Sequence, residues 1–340
     1  MNILVTGGLG FIGSHTIVSL LGENNNLNNN LNNNIIIVDN LSNSSINILS
    51  KIKSLVKNPE NIIFIEGDIN DKLLMKDVFI KYKIESIIHF ASLKSVSESI
   101  KKPLLYYSQN MNSLLNLLEL MDIYECNQLI FSSSATVYGS DAKSPLKETD
   151  NIGSFITNPY GQTKYFQEQI LNDYSKINPH KSITILRYFN PAGAHPSGLI
   201  GENPTGVPNN LFPYVLRVAT KQYDKLTIFG NTYNTNDGTC VRDFIHVMDL
   251  ADGHSASLKN KKNGLTIYNL GTGKGTSVLE LVTTFEKVNN IKIPYIISDK
   301  REGDLDIVFS DVSKVYNEIG WKTKRNVEDI CRDGYNFISK

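Results

Sequence analysis

Short runs of β-branched and other apolar residues recur through the first half of the chain at helix-length intervals. They are residues 2–6 (NILVT), 35–38 (IIIV), 62–65 (IIFI), 86–91 (SIIHFA), 129–132 (LIFS) and 183–188 (ITILRY). None alternates polar and apolar at period two, so each predicts a strand buried on both faces, as in a parallel sheet. The stretches between them, such as 114–124 and 165–176, carry helical spacing. Strand–helix alternation of this kind constrains the chain to an α/β fold, an open, doubly wound parallel sheet of the Rossmann type. After about residue 190 the rhythm loosens, with many Gly, Pro and Asn up to Gly238. That predicts a smaller C-terminal α/β lobe built around loops, as substrate-binding lobes are. The expected division is therefore 1–190 for a dinucleotide-binding domain and 191–340 for a substrate lobe, with 240–258 packing back on the first.

One segment interrupts the alternation: residues 22–34, GENNNLNNNLNNN. Asparagine forms helices and strands poorly, and the tract has too little apolar surface to offset its ordering entropy. It reads as a disordered insert between the first helix and the second strand.

Charge excludes several classes of partner. Lys+Arg and Asp+Glu both total 34, which favours neither nucleic acid nor an anionic membrane surface. Cys126, Cys240 and Cys331 are isolated and lack metal-ligand spacing, so they read as plain thiols in a reducing compartment, with no metal site expected. The opening MNILVTGG is broken by glycine too early for a signal peptide, and no apolar run approaches the ~18 residues of a membrane span. A cytoplasmic protein is expected.

Gly7, Gly10 and Gly13 follow the first strand at G-x-x-G-x-x-G spacing. Glycines there permit a tight turn, close approach of a pyrophosphate and packing of the next helix on the sheet. The helix N-terminus behind them presents free N–H groups and partial positive charge. A dinucleotide site also wants an acid at the end of the second strand, and Asp39 stands there. A carboxylate at that point accepts from the adenosine ribose and favours NAD, since a 2′-phosphate would be repelled. Capping of the next helix is its lesser reading. Asp68, after the third strand, has two readings of equal standing: acceptor from the adenine amino group, or cap of a helix from Asn70.

With NAD in place, N-P-Y-G-Q-T-K gains meaning. Tyr160 and Lys164 are four apart, on one helical face, with Pro159 fitting the first turn. A tyrosine serving as base at neutral pH needs its phenolate favoured by roughly 3 pKa units, about 4 kcal/mol. A cation about 4 Å away in an effective dielectric near 20 supplies that much. Lys164 is one such cation and oxidised nicotinamide another. Of the serines in SSSATVYG, Ser134 is placed to donate and accept near a substrate hydroxyl that Tyr160 deprotonates.

These stretches resemble the extended short-chain dehydrogenase/reductase family, and within it the branch that epimerises UDP-hexoses at C4. The resemblance runs along nearly the whole chain, through LVTGGLGFIGSH, EGDI, SSSATVYG, NPYGQTK, RYFNPAGAHPSG, PNNL, DGTCVRDFIHVMDLADGH, YNLGTG and REGD. It implies interconversion of UDP-galactose and UDP-glucose through a 4-keto sugar, with Tyr160, Lys164 and Ser134 catalytic. It further implies that Gly7, Gly10, Phe11, Ile12, Gly13, Asp39, Asn40, Asp68, Ile69, Phe90, Ala91, Lys94, Asn110, Ser132 and Tyr188, with Tyr160 and Lys164, line NAD. For the sugar nucleotide it implies Ser134, Tyr160, Asn190, Asn210, Leu211, Thr227, Phe229, Arg242, Arg301, Asp304 and Val308. Arg242 and Arg301 would clamp phosphates, Asp304 the uridine ribose, and residues 227–229 the uracil. Counted from Arg301, Val308 falls where the family varies between tyrosine and a small residue, the small form accepting N-acetylhexosamines as well. A homodimer packed through helices near Leu114 and Tyr165 is also implied.

The chain departs from the family at Ser92, Ser113, Phe244, Asp306 and Ile307, none of them a catalytic position. A 4,6-dehydratase on the same fold would carry an Asp-Glu pair after the serine; Ala135 and Thr136 stand there instead.

Overall fold

The computed structural model describes residues 1–22, 33–204, 206–208, 210–301 and 303–340. Most of the asparagine-rich insert, residues 23–32, lies outside them, and so does its expected disorder. The first six strands are β1 (Asn2–Thr6), β2 (Asn34–Asp39), β3 (Ile62–Glu66), β4 (Ser86–His89), β5 (Gln128–Ser134) and β6 (Ser182–Tyr188). Among them run α1 (Phe11–Leu21), α2 (Asn47–Ser54), α3 (Lys72–Tyr82), α4 (Val96–Lys101), α5 (Pro103–Ile123) and α6 (Pro159–Ile177). Then come the short β7 (Asn190–Ala192), β8 (Leu226–Phe229), β9 (Val241–Arg242) and β10 (Phe244–His246). They are followed by β11 (Gly264–Leu270), β12 (Thr276–Ser277), β13 (Tyr295–Ser298) and β14 (Ile307–Val308). The later helices are α7 (Leu211–Ala219), α8 (Val247–Lys259), α9 (Val278–Asn289), α10 (Ser313–Ile319) and α11 (Val327–Ile338).

Seven strands form one sheet in the order β11-β6-β5-β4-β1-β2-β3. The pairs joining β3, β2, β1, β4 and β5 are parallel. Strand order reverses direction between β1 and β4, and ligands of open α/β sheets bind beyond the carboxyl ends at such a point. The doubly wound sheet expected from the apolar runs is present. Its seventh strand, β11, was not among the six expected, although GLTIYNL is rich in strand formers.

Two compact units emerge. The first comprises Met1–Val137, Asn158–Arg187 and Ala251–Tyr268, and the second Tyr138–Thr157, Tyr188–Leu250 and Asn269–Lys340. This departs from the expected division at 190. Residues 138–157 belong to the second unit, and of 240–258 only the part from Ala251 belongs to the first. A chain that passes repeatedly between units leaves no composition shift to mark each crossing.

In the first unit, Leu4, Ile36, Val38, Ile87, Leu129 and Phe131 of the sheet pack with Leu114, Leu117, Leu118 and Met121 of α5. Those α5 positions follow the i, i+3, i+4, i+7 pattern of a buried helical face. The run SLLNLLELM is therefore largely core, including Leu114, the residue that marks the helix expected at a dimer interface. The second unit has its own core of Phe212, Val215 and Leu216 on α7, Leu281, Val282 and Phe285 on α9, and Ile330 and Cys331 on α11. Phe244 is buried in that core, which accounts for a ring without a hydroxyl at this position. Among the described residues, no helix is long and apolar enough to cross a membrane, and no cluster of His, Cys, Asp and Glu fits a metal ion. The three cysteines are buried free thiols.

Candidate active site

The glycine turn bridges β1 and α1. Gly7 has φ +68°, in the left-handed region that favours glycine, and a Cβ there would meet the Ala91 backbone nitrogen at 2.8 Å. A Cβ on Gly13 would meet the Gly7 carbonyl oxygen at 2.5 Å, so a side chain would push the helix off the turn. Gly10 is the N-cap and makes no side-chain cap bond. The first N–H groups of α1, at Phe11 and Ile12, consequently open the helix with no capping side chain over them.

Asp39 closes β2 and is buried. Its Oδ2 accepts from the Leu9 amide at 3.0 Å, and its Oδ1 from the Leu41 amide at 3.0 Å and the Ser44 hydroxyl at 2.9 Å. A carboxylate offers about four acceptor sites, so one remains on Oδ2. Asp68 does not cap the following helix; Asp71 does, accepting from the Leu73 and Leu74 amides. The Asp68 carboxylate instead takes the Asn70 amide at 2.8 Å and the Asn40 side-chain amide at 3.1 Å, joining the loops after β2 and β3. Ile69 is buried in the core.

The loop after β4 is fixed from both ends. The Phe90 and Ala91 amides share the Thr6 carbonyl at 3.1 Å. Asn110 of α5, 1% exposed, accepts from the Leu93 amide at 2.9 Å and donates to the Leu93 carbonyl at 3.1 Å. Its amide also reaches the Thr163 hydroxyl of α6 at 3.1 Å. Asn110 thus holds the segment that carries the exposed Lys94. The Ser113 hydroxyl of α5 bonds the Asn110 carbonyl at 2.8 Å, and Ser92 bonds the Leu93 carbonyl at 3.2 Å, so both departures from the family are absorbed locally.

Helix α6 begins as its sequence dictates. The Asn158 side chain caps it through the Gly161 amide at 2.9 Å, and Pro159 occupies the first turn. Tyr160 and Lys164 share a face, and Ser134 at the end of β5 stands close enough to the Tyr160 phenol to favour its phenolate. The Lys164 ammonium, 3% exposed, donates to the Ser132 carbonyl at 2.8 Å and lies 4.9 Å over the Phe131 ring. Burial pushes the Tyr160 phenol up to about 12, against the pull of Ser134. Lys164 does not bring the phenol down, as the sequence argument expected it to. Burial also lowers Lys164 itself to about 7, opposed by Glu168. In both groups desolvation is the largest cause.

Two groups in the first unit escaped the sequence reading. His89, buried at the end of β4, bonds the Thr6 hydroxyl at 2.8 Å, and burial, then Lys164, lowers it to about 3. Glu168, one turn beyond Lys164, forms a buried fork with Arg187 of β6, with 2.7 Å between Arg187 Nη2 and Glu168 Oε2. Extending Y-x-x-x-K by another four residues would have found it.

Apart from Ser134 and Tyr160, the residues assigned to a sugar nucleotide lie in the second unit. Arg242 of β9 forms an ion pair with Asp304, whose other oxygen accepts from the Tyr233 hydroxyl at 3.2 Å. These were expected as separate anchors; they are one pair. Val308 of β14 lies in register with Arg242. The Arg301 guanidinium stacks 4.0 Å over the Phe229 ring of β8, the strand that also carries Thr227. Tyr188 is buried at the end of β6, and the Asn190 amide bonds the Asp243 carbonyl at 2.9 Å. Asn210, the N-cap before Leu211 of α7, reaches Glu202 at 3.4 Å. Asp243, part of VRDF but not singled out in the sequence, is fully buried and takes five donors. Thr272 donates through its amide and hydroxyl at 2.8 and 2.6 Å, and Ser310 likewise at 3.1 and 2.6 Å. The Gly273 amide adds the fifth at 3.2 Å. A Cβ on Gly271 would strike this carboxylate, which accounts for the first glycine of YNLGTG.

A glycine turn at the switch point of a doubly wound sheet, with Ser134, Tyr160 and Lys164 beyond its carboxyl edge, defines a short-chain dehydrogenase/reductase. The family model described as GDP-mannose 4,6 dehydratase matches residues 4–334. The UDP-glucose 4-epimerase of Bacillus subtilis (strain 168) is 48% identical over 341 residues, covering 100% of this chain and 97% of that one. The crystal structure of UDP-glucose 4-epimerase from Bifidobacterium longum in complex with NAD+ and UDP has TM-score 0.92 at 44% identity, covering 100% and 98%. The UDP-Glc/GlcNAc 4-epimerase of Campylobacter jejuni has TM-score 0.84 at 35% identity, covering 99% of each chain. The chain belongs to the UDP-glucose 4-epimerase family of the extended short-chain dehydrogenases/reductases.

Proposed function

We propose that this chain interconverts UDP-galactose and UDP-glucose by inverting C4 of the hexose. The observation that carries the reading is Ser134, at the end of β5, beside the Tyr160 phenol and favouring its phenolate, with Lys164 one turn along the same helix face. Gly7, Gly10, Gly13, the open N-terminus at Phe11 and Ile12, and the free acceptor site on Asp39 suit the pyrophosphate and ribose of NAD. Bound NAD supplies the hydride acceptor and donor, and a positive charge that favours the phenolate. Tyr160 takes the proton of the C4 hydroxyl as the C4 hydrogen leaves as hydride, and a 4-keto hexose results. After the hexose turns its other face, the same phenol returns the proton. Ser134 steadies the oxygen through both halves. Arg242 and Arg301 hold the diphosphate, and Asp304 the uridine ribose.

A tight hold on the nucleotide and a loose one on the hexose are what the turn requires. Val308 is small where a tyrosine would crowd the sugar, which supports acceptance of UDP-N-acetylhexosamines as well. The resemblance to a UDP-Glc/GlcNAc 4-epimerase fits that reading. Homodimerisation is supported by uncovered apolar residues on three helices of the first unit: Ile100 of α4, Leu104 and Leu115 of α5, and Phe166 of α6. Three buried free thiols suit a reducing, cytoplasmic setting.

Incubation with UDP-galactose and no added NAD tests the function. UDP-glucose is the expected product. A 4-keto-6-deoxy sugar would instead establish a dehydratase, against the absence of an acid at Ala135 and Thr136. Turnover that starts only in a parallel incubation with added dinucleotide, and consumes it stoichiometrically, would establish a reductase.

A further inference from the structure

The three consecutive serines that close β5 meet three residues of α6, and each has its own partner. Ser134 stands beside the Tyr160 phenol and favours its phenolate, and the Ser132 carbonyl takes the Lys164 ammonium at 2.8 Å. The Ser133 hydroxyl, 1% exposed, donates to Glu168 at 2.5 Å. Tyr160, Lys164 and Glu168 stand at i, i+4 and i+8, along one stripe of the helix. Glu168, 2% exposed, is gripped from β6 by Arg187 through Nε at 3.1 and 3.2 Å and Nη2 at 2.7 Å. Two ions withdrawn from water add little net stability against apolar groups of the same size. The fork therefore calls for a reason beyond stability, and its third partner supplies one.

We propose that Glu168, held by Arg187 and bonded to Ser133, is a positioning residue of the reaction. It locks the end of β5 in register with α6, so that Ser132 and Ser134 reach Lys164 and Tyr160, and it places a negative charge beside the ammonium. The groups facing Lys164 are Tyr160 and Glu168 from α6, neutral His89 from β4 and the Phe131 ring from β5, with Arg187 behind Glu168. Glu168 is the one acid among these, and it acts against the burial that lowers the lysine.

Only the activity arm of the test rests on the epimerase reading. Ser133→Ala removes the bond to Glu168 and leaves the fork intact, while Ser133→Thr restores a hydroxyl. The expected result is a fall in kcat of about tenfold in Ser133→Ala, with KM within about twofold, and recovery in Ser133→Thr. The second arm needs no turnover. With 13C at the lysine ε-carbons, the Lys164 signal, assigned by its loss in Lys164→Met, is titrated in the unaltered chain, Glu168→Gln and Ser133→Ala. Its midpoint moves to lower pH in both variants, because the ammonium loses its acid in one and its fixed carbonyl in the other. Circular dichroism verifies that Glu168→Gln folds; if it does not, Ser133→Ala decides. An unmoved Lys164 midpoint, or full kcat in Ser133→Ala, would overturn the proposal. No turnover by the unaltered chain would refute the epimerase reading and leave the titration to decide this one.

Discussion

In the first unit, Ser132, Ser133, Ser134, Tyr160, Lys164 and Glu168 all come from one strand end and one helix face. In the second, Asp243 collects Thr272, Gly273 and Ser310, the last of them 67 residues away in the chain. Arg242 likewise meets Asp304 across 62 residues. A centre built on one helix inherits its geometry from the 3.6-residue repeat, so losing one functional group leaves the scaffold standing. A centre gathered from distant loops has its geometry in its hydrogen bonds, so a lost group takes structure with it. The two centres should therefore fail differently.

The sharpest contrast comes from Tyr160→Phe. Epimerisation falls by about a thousandfold or more, as for loss of a general acid–base, while the urea midpoint stays near that of the unaltered chain. An equal loss of stability would break the comparison. Asp243→Ala should do the reverse. Five donors lose their acceptor, and the unfolding free energy drops by about 3 kcal/mol in urea titrations. Unchanged stability there would show that the second centre does not hold its own loops.

Val308→Tyr sharpens the contrast within the second unit, at a position in register with Arg242 yet free of the Asp243 network. The ratio of UDP-N-acetylglucosamine to UDP-glucose turnover falls by about tenfold with stability unaltered. An unchanged ratio would remove Val308 from substrate choice.

The smallest effect concerns His89. Burial, then Lys164, pushes its folded ring down to about 3 from the ordinary value of 6.5, so the unfolded chain binds the extra proton between those values. Stability attributable to this residue is thus complete above 6.5 and is lost as pH falls toward 3. His89→Asn should make unfolding free energy less steep against pH across that window. An unchanged slope would mean that the ring is not sealed from acid.

Legibility follows the same divide. The glycine turn, Asp39 after β2 and the Pro159-led start of α6 were readable because each depends on neighbours within a few residues. Of the two readings of Asp68, the cap fails, since Asp71 lies three residues on with a stronger claim to it. The phenol's titration misled as well: a charge pair can be counted from a sequence, but burial cannot, and burial sets both Tyr160 and Lys164.

The amino-acid order alone fixed the strand–helix alternation, the glycine turn and the common face of Tyr160, Lys164 and Glu168, because short-range sterics and helical periodicity act within one segment. Only the tertiary structure decided which serine meets which helix residue, that Arg242 and Asp304 form a pair, and that Asp243 anchors three loop residues. Those contacts join segments whose separation along the chain carries no information about their separation in space.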